Sequence, residues 1–273
     1  MNHPKMKNTA ALLLLCLLIL ASSVLFLFIA QNEPMIYWIK TFTPSVSQAS
    51  SSGGIESSAL ESSPAESSAS AAQLAEVWEK DSNLLLVNCD FGLPEPYKPN
   101  LVKAFDMEMD ERIVEPYRQM AAAALKDGVT LWISSAYRAP ELQKELLERE
   151  IRENEQKGMG PEEAKEKAAI AVAQPGHSEH NTGLAIDING VRPEFEKEKG
   201  YEWMTQHAAE YGFILRYPRE KENVTKIMFE PWHYRYVGKE NAQRMNKLGM
   251  CLEEYVNYLA QYVNYLAQNK ENN

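Results

Sequence analysis

Two short stretches of this chain concentrate the side chains that could bind a metal ion. The first runs from His177 to Asp187 and includes His180, and the second contains Glu230 and His233. A catalytic zinc ion typically takes three protein ligands from His, Asp and Glu and keeps one position open for water. His180, Asp187 and His233 supply such a set, with Glu230 beside His233 as a base. These residue types therefore indicate hydrolytic metal chemistry.

The histidines do not qualify equally as ligands. Of the five in the chain, His3 precedes a long apolar run, and His207 lies within a predicted helix, where a surface histidine is the default. His177 stays open as a substitute for His180, because spacing alone does not separate the two. The simpler interpretation of the first stretch is a polar turn that leads into an ordinary edge strand.

Strand alternation gives the candidate ligands a common direction. Ile186 and Ile188 flank Asp187, so a strand here turns Asp187 to the face opposite the large apolar residues. In a second strand, His233 faces away from its aromatic neighbours. Two adjacent strands could therefore direct Asp187 and His233 at one point.

The elements that must position these residues alternate between helices and short strands. Apolar residues with helical spacing predict the helices, with Gly128 ending one and Pro140 beginning the next. The predicted helices cover residues 72–80, 114–126, two segments within 140–172, and 201–211, and the predicted strands cover 84–87, 129–133, 184–188, 213–217 and 232–237.

Composition excludes two other classes of site. The formal net charge is -10 and no basic patch stands out, which argues against a nucleic-acid partner. The three cysteines, Cys16, Cys89 and Cys251, form no CxxC pair and predict neither a thiolate zinc site nor a disulfide framework. Any metal must therefore use His, Asp or Glu.

The N-terminal segment predicts a membrane anchor. Lys5 and Lys7 precede an apolar run over residues 10–30, which is about the length that crosses a bilayer as a helix. Basic residues stay on the cytoplasmic side, so residues 1–9 form a cytoplasmic tail and the bulk of the chain lies outside the cell membrane. Cleavage near residues 21–23 is the alternative to this single-pass anchor.

Three further regions follow the predicted anchor. Residues 31–72 are dominated by Ser, Ala and Glu and predict a disordered linker. Residues 73–250 form the predicted catalytic domain. Residues 251–273 predict a C-terminal helical extension, in which a heptad beginning at Tyr255 is repeated from Tyr262.

Three motifs resemble a known family when they are taken together. They are Ser135-Ala136-Tyr137-Arg138 with Gln143; Ser178-Glu179-His180 through Gly183 to Asp187; and Glu230-Pro231-Trp232-His233. They resemble, in order, the motifs of VanY-type D-alanyl-D-alanine carboxypeptidases, which belong to a wider group with lysostaphin-like enzymes and the sonic hedgehog fold. The resemblance covers residues 84–249. It implies an α+β fold, a single catalytic domain with a small antiparallel sheet flanked by helices.

The resemblance also implies a role for each motif residue. The zinc ligands would be His180, Asp187 and His233. Glu230 would be the general base, and Arg138 the cation that stabilises the transition state. Tyr137, Gln143 and Ser178 would contact the substrate. The expected reaction releases D-alanine from the peptide stem of peptidoglycan.

Three alternatives share this sequence pattern. An L,D-carboxypeptidase acting on tetrapeptide stems or a D,D-dipeptidase would use the same zinc machinery. An inactive cell-wall-binding module would keep the fold without the chemistry. All five groups needed for catalysis are present, which favours an enzyme.

Overall fold

Two antiparallel sheets organise the part of the chain that the structure, a computed structural model, describes, which is residues 69–271. The first is a hairpin of β1 (Leu101–Ala104) and β2 (Met107–Asp110). The second has four strands in the order β3-β4-β6-β5. These are β3 (Ile133–Ser135), β4 (Ala185–Ile188), β5 (Phe213–Leu215) and β6 (His233–Tyr236).

Helices and 3₁₀ turns connect and cover these strands. The helices are α1 (Ala71–Lys80), α2 (Glu111–Lys126), α3 (Pro140–Gln156), α4 (Pro161–Ala171), α5 (Lys199–His207), α6 (Glu222–Thr225), α7 (Lys239–Leu248) and α8 (Leu252–Glu271). The 3₁₀ turns are Ser82–Leu84, Glu179–Thr182, Pro193–Lys197, Ala208–Tyr211 and Arg219–Lys221. The helices predicted from apolar spacing are confirmed.

The hydrophobic core lies between one face of the four-stranded sheet and the helices α2 and α5. Ile186 and Tyr234 point into it from the two central strands, and Met120 enters it from α2. The side chain of Asp110 accepts a hydrogen bond from the backbone N–H of Arg112 and so caps the start of α2. The core thus holds β4 and β6 in a fixed register, with Ile186 opposite Tyr234 and Asp187 opposite His233.

The strand predicted at 84–87 is wrong. The apolar run correctly predicts that these side chains are buried, but Leu85–Val87 pairs with no strand within residues 69–271. The Arg235 guanidinium donates instead to the carbonyl oxygens of Asn83 and Leu85, at 3.0 and 2.8 Å. A side chain therefore satisfies backbone groups that a neighbouring strand would otherwise bind.

The strand predicted at 129–133 begins only at Ile133. Before Ile133, the Asn189 side chain makes backbone hydrogen bonds that a neighbouring strand would otherwise make. It accepts from the Trp132 N–H at 2.9 Å and donates to the Thr130 carbonyl at 3.1 Å. Trp132 itself is more than half exposed, so the core does not extend this far.

The C-terminal helix α8 packs against the body of the domain. Tyr255, Val256 and Leu259 are buried along it, and the Asn257 side chain accepts from the N–H of Ala69 at 2.7 Å. Within residues 69–271, no helix has the length and apolar character that a membrane span requires. The predicted anchor at 10–30, the cytoplasmic tail and most of the predicted linker lie outside the described residues.

Candidate metal centre

His180, Asp187 and His233 meet on the face of the sheet that is opposite the apolar core. Asp187 and His233 are cross-strand partners, and His180 comes from the 3₁₀ turn before β4. Nε2 of His180 lies 3.3 Å from Oδ2 of Asp187, and Nδ1 of His233 lies 3.2 Å from Oδ1. One potential ligand atom from each residue falls within 4.8 Å of the others, and all three residues are buried.

Backbone geometry explains the position of His180. Gly183 ends the 3₁₀ turn with φ of +74°, a left-handed conformation that favours glycine. A Cβ there would meet the backbone nitrogen of Asp110 at 3.1 Å, and that same N–H donates to the Gly183 carbonyl. The glycine therefore lets the turn lie against the hairpin and start β4 in the register that presents Asp187.

The outer nitrogen of each imidazole sets its tautomer. Nδ1 of His180 lies 2.6 Å from the Ala136 carbonyl oxygen, which can only accept, so this nitrogen carries the proton. Nε2 of His233 faces Oε2 of the Glu179 carboxylate at 3.5 Å. When His233 is neutral and its proton lies on Nε2, facing this carboxylate, the lone pairs of His180 Nε2 and His233 Nδ1 both point towards Asp187, as in metal-ligating histidines.

This donor set fits a divalent cation. Two lone pairs and a carboxylate repel one another unless positive charge lies between them, and Oδ1 of Asp187 has no hydrogen-bond partner among residues 69–271. Burial alone would lower the pKa of His233, but the adjacent carboxylates of Asp187 and Glu179 outweigh it and raise the pKa to about 9. The centre attracts positive charge, and two nitrogens with one carboxylate oxygen suit zinc.

Glu230 lies at the edge of the centre. Its Oε2 is 3.7 Å from Nδ1 of His233, and its side chain is 27% exposed to solvent. A short turn fixes it, because its N–H donates to the Tyr217 carbonyl and its own carbonyl accepts from the His233 N–H. Burial raises the pKa of Glu230 to about 6, which suits a general base that works near neutral pH.

Arg138 is held in place at both its backbone and its guanidinium. Its N–H donates to the His180 carbonyl at 3.1 Å, and its carbonyl accepts from the Asn181 side chain at 2.7 Å. Its Nη1 donates to Oε1 of Gln143 at 2.8 Å. Burial lowers the pKa of Arg138 from its very high ordinary value, while Asp187 and Glu230 oppose that shift, so the group stays a cation.

The other predicted site residues differ in burial and in their contacts. Gln143 is buried, and its amide bridges Arg138 and the Ala173 carbonyl, the latter at 2.8 Å. Ser178 is buried in the turn before His180, and Tyr137 is half-buried. Their contact with substrate stays a prediction.

His177 lies outside the cluster, which removes it as an alternative ligand. Its Nδ1 is 2.7 Å from the Asn88 carbonyl oxygen. Its ring packs on Gly92, where an added Cβ would meet Nε2 at 2.9 Å. His177 therefore joins the loop at residues 88–92 to the turn that carries His180.

Sequence reasoning missed four residues around the centre. Tyr217 packs its ring 4.9 Å from that of His233, and Glu179 contacts the same imidazole. Arg216 and Arg235 both donate to Oε1 of Glu179, at 2.7 and 2.8 Å. Strand alternation does predict that Arg235, two positions after His233, shares its face, but it does not predict the contact of Arg235 with Glu179.

Comparison with known proteins identifies the family. Residues 106–239 match the family model described as VanY: D-alanyl-D-alanine carboxypeptidase. A D-alanyl-D-alanine carboxypeptidase of Enterococcus faecalis is 39% identical over 180 residues, which cover 66% of this chain and 67% of that protein. The chain belongs to the VanY-type family. Membership confirms the resemblance carried by the three motifs and identifies the chain as an enzyme, a metallopeptidase of the carboxypeptidase type.

Solved structures share the fold of this VanY-type domain. A VanY D,D-pentapeptidase variant from a VanB-type resistance cassette, in complex with Zn(II), is 39% identical with a TM-score of 0.59 over 64% of this chain and 99% of that chain. VanYB in complex with D-alanine-D-alanine is 38% identical, with a TM-score of 0.59 over 65% and 98% of the two chains. The LdcB LD-carboxypeptidase is 35% identical, with a TM-score of 0.57 over 63% and 85%. The predicted α+β catalytic domain is confirmed.

Proposed function

We propose that this chain is a zinc-dependent D-alanyl-D-alanine carboxypeptidase that removes the terminal D-alanine from peptidoglycan stem peptides. The observation that carries the proposal is the convergence of His180, Asp187 and His233, with Glu230 and Arg138 at the same centre. The similarity to VanYB in complex with D-alanine-D-alanine supports this substrate.

The residues divide the reaction between them. His180 Nε2, His233 Nδ1 and an Asp187 oxygen would hold the zinc ion, which lowers the pKa of a water from about 15.7 to roughly 7 when it is bound. Glu230 accepts the proton of the attacking water and passes it to the leaving amine of D-alanine. Arg138 offsets the negative charge that develops on the carbonyl oxygen, or it binds the terminal carboxylate of the stem.

The same centre could act on a tetrapeptide stem. The similarity to the LdcB LD-carboxypeptidase favours this as the second candidate. Both reactions need the same zinc ligands and the same base, so the segments that carry Tyr137, Gln143 and Ser178 would determine which substrate is accepted. A D,D-dipeptidase would differ in accepting free D-alanyl-D-alanine.

Product analysis separates these activities. The full-length chain is incubated with a pentapeptide stem, a tetrapeptide stem and free D-alanyl-D-alanine, and the products are measured by mass spectrometry. We expect release of one D-alanine from the pentapeptide, loss of that activity in EDTA, and recovery with zinc. Cleavage of only the tetrapeptide would favour the L,D-activity, and cleavage of none would favour a cell-wall-binding module. Indifference to EDTA and zinc would contradict the metal mechanism.

The proposal includes the location of the enzyme. The apolar run at residues 10–30 and the basic Lys5 and Lys7 support a single-pass anchor in the cell membrane, with the catalytic domain outside. Such an anchor would keep the domain near its wall-bound substrate. Protease treatment of intact cells should remove the catalytic domain while leaving an N-terminal tag protected. Full protection of the domain would contradict this orientation.

A further inference from the structure

A second cluster of buried charges lies directly behind the metal ligand His233. It consists of two carboxylates and two guanidiniums, from Glu179, Arg216, Arg235 and Glu253. Glu179 Oε1 accepts from both arginines, and its other oxygen faces Nε2 of His233. Arg216 also donates two hydrogen bonds to Glu253, at 2.9 and 2.6 Å. The chain of contacts therefore runs from Glu253 through Arg216 and Glu179 to His233.

This cluster extends beyond the segment that defines the family. The family model covers residues 106–239, whereas Glu253 lies in the first turn of α8 and its Oε1 also accepts from the Asn88 side chain at 3.1 Å. Asn88 in turn binds His177 through its carbonyl oxygen. Hydrogen bonds thus join the C-terminal helix to the loop at residues 88–92 and, through Arg216, to Glu179, whose second carboxylate oxygen lies 3.5 Å from Nε2 of His233.

Charge balance shows what the cluster does for His233. Two negative and two positive groups cancel, and Arg216, Arg235 and Glu179 are fully buried, so each charge depends on its partners. Removing the Glu253 charge would leave a net positive charge close to the centre. Arg216 would then pair with Glu179 alone, and the Glu179 carboxylate would present less negative charge to the Nε2 side of the His233 ring, 3.5 Å away.

We propose that Glu253 and Glu179 are positioning residues for the metal site, acting in series through Arg216 to hold the His233 ring and its Nδ1 lone pair towards the metal. This inference rests on the proposed role of His233 as a zinc ligand. Outer-shell partners of ligating histidines typically change metal affinity by about 10–100-fold when they are replaced. Helix α8 is then part of the metal site.

A neighbouring residue provides a matched control. Glu254 follows Glu253 in the same helical turn, but it pairs with Lys221 at 2.8 Å and its side chain is 31% exposed. Its other contact is with the N–H of Cys251. Glu254→Gln removes an equal charge from the same helix without touching Arg216, so it reports any general effect on α8.

The test compares zinc affinity across three variants of the full-length chain. Competition with a chromophoric chelator measures zinc binding, and the absorption spectrum of the Co(II)-substituted protein reports the ligand geometry. We expect Glu253→Gln to weaken zinc binding about 10-fold and Glu179→Gln about 10–100-fold, with a changed Co(II) spectrum in both. Glu254→Gln should leave affinity and spectrum unchanged. Thermal unfolding of each zinc-free variant measures stability separately.

Two results would overturn the inference. Unchanged zinc affinity and spectrum in Glu179→Gln and Glu253→Gln, together with a lower melting temperature, would show that the cluster only stabilises the fold. Equal losses in Glu253→Gln and Glu254→Gln would show a general effect of α8. If Glu253→Gln does not fold, the Glu179→Gln variant decides alone. Glu179 is the residue that contacts His233, so an unchanged zinc affinity in this variant would contradict the proposed role of the whole cluster. Tight zinc binding by the unaltered chain without carboxypeptidase activity would reject the proposed function while leaving this comparison valid.

Discussion

Two neighbouring residue pairs in the same two strands are buried for opposite reasons. Ile186 lies opposite Tyr234, and one position further along Asp187 lies opposite His233. All four side chains are at most 4% exposed. The first pair faces the apolar core, whereas the second faces Glu179 and the other buried charges. One face of the sheet is closed by hydrophobic packing and the other by pairing of charges.

The difference separates what stabilises the domain from what gives it chemistry. Apolar burial contributes directly to stability, whereas buried charges contribute little net stability because of their desolvation. A cluster of two imidazoles and a carboxylate is useful chiefly because it binds a cation. Substitutions one residue apart on β4 should therefore affect different properties.

The largest effect is expected from Asp187→Asn. The amide removes the only carboxylate among the three ligand candidates, so both zinc affinity and release of D-alanine should be lost. The loss of affinity should exceed the roughly 10–100-fold expected for an outer-shell partner. Chelator competition and an assay for free D-alanine measure the two. Full affinity in this variant would show that Asp187 is not a ligand.

Glu230→Gln should remove catalysis while leaving the metal in place. Its carboxylate lies at the edge of the centre rather than between the imidazoles, so zinc affinity should change little. Loss of a general base should reduce kcat by about 10²–10⁴-fold. Steady-state kinetics on the pentapeptide stem and metal analysis of the purified variant test both parts. Turnover at the unaltered rate would contradict the role of Glu230 as base.

Ile186→Ala should lower stability while leaving zinc binding and catalysis intact. It leaves a cavity in the apolar core and should lower the free energy of unfolding by about 2–5 kcal/mol. The folded protein should still bind zinc and release D-alanine, because Asp187 and His233 keep their register. Urea unfolding followed by circular dichroism gives the stability. A loss of zinc affinity as large as that of Asp187→Asn would show that the two faces are not separable.

Sequence alternation was sufficient to predict this arrangement of the two faces. The alternation around Asp187 predicts that its side chain lies on the face away from Ile186 and Ile188. In the structure Asp187 is the cross-strand partner of His233, as this alternation indicates. The three motifs then identified the family. Such patterns work where a residue's environment follows from its neighbours in the same element.

The support behind the ligands could not be predicted in this way. Glu179 contacts Arg216 and Arg235, which lie 37 and 56 residues further along the chain, and Asn88 meets Glu253 across 165 residues. A charged residue in a turn is ordinarily solvated, and periodicity does not report which charge it meets. The apolar run at 84–87 wrongly predicts a strand because its backbone is satisfied by a side chain distant in sequence, that of Arg235, which the local pattern does not show.

The smallest effect is expected from Tyr234→Phe, and it tests the apolar face most closely. The Tyr234 hydroxyl is fully buried and has no hydrogen-bond partner among residues 69–271. Burial also raises its pKa well above the ordinary value. An unsatisfied buried hydroxyl costs about 1–3 kcal/mol, so its removal at constant shape should leave the free energy of unfolding unchanged or slightly higher. Zinc binding should be unaffected, because the ring points away from His233. A loss of more than about 1 kcal/mol in urea unfolding would show that the hydroxyl binds a buried water and that this face, too, depends on a polar contact.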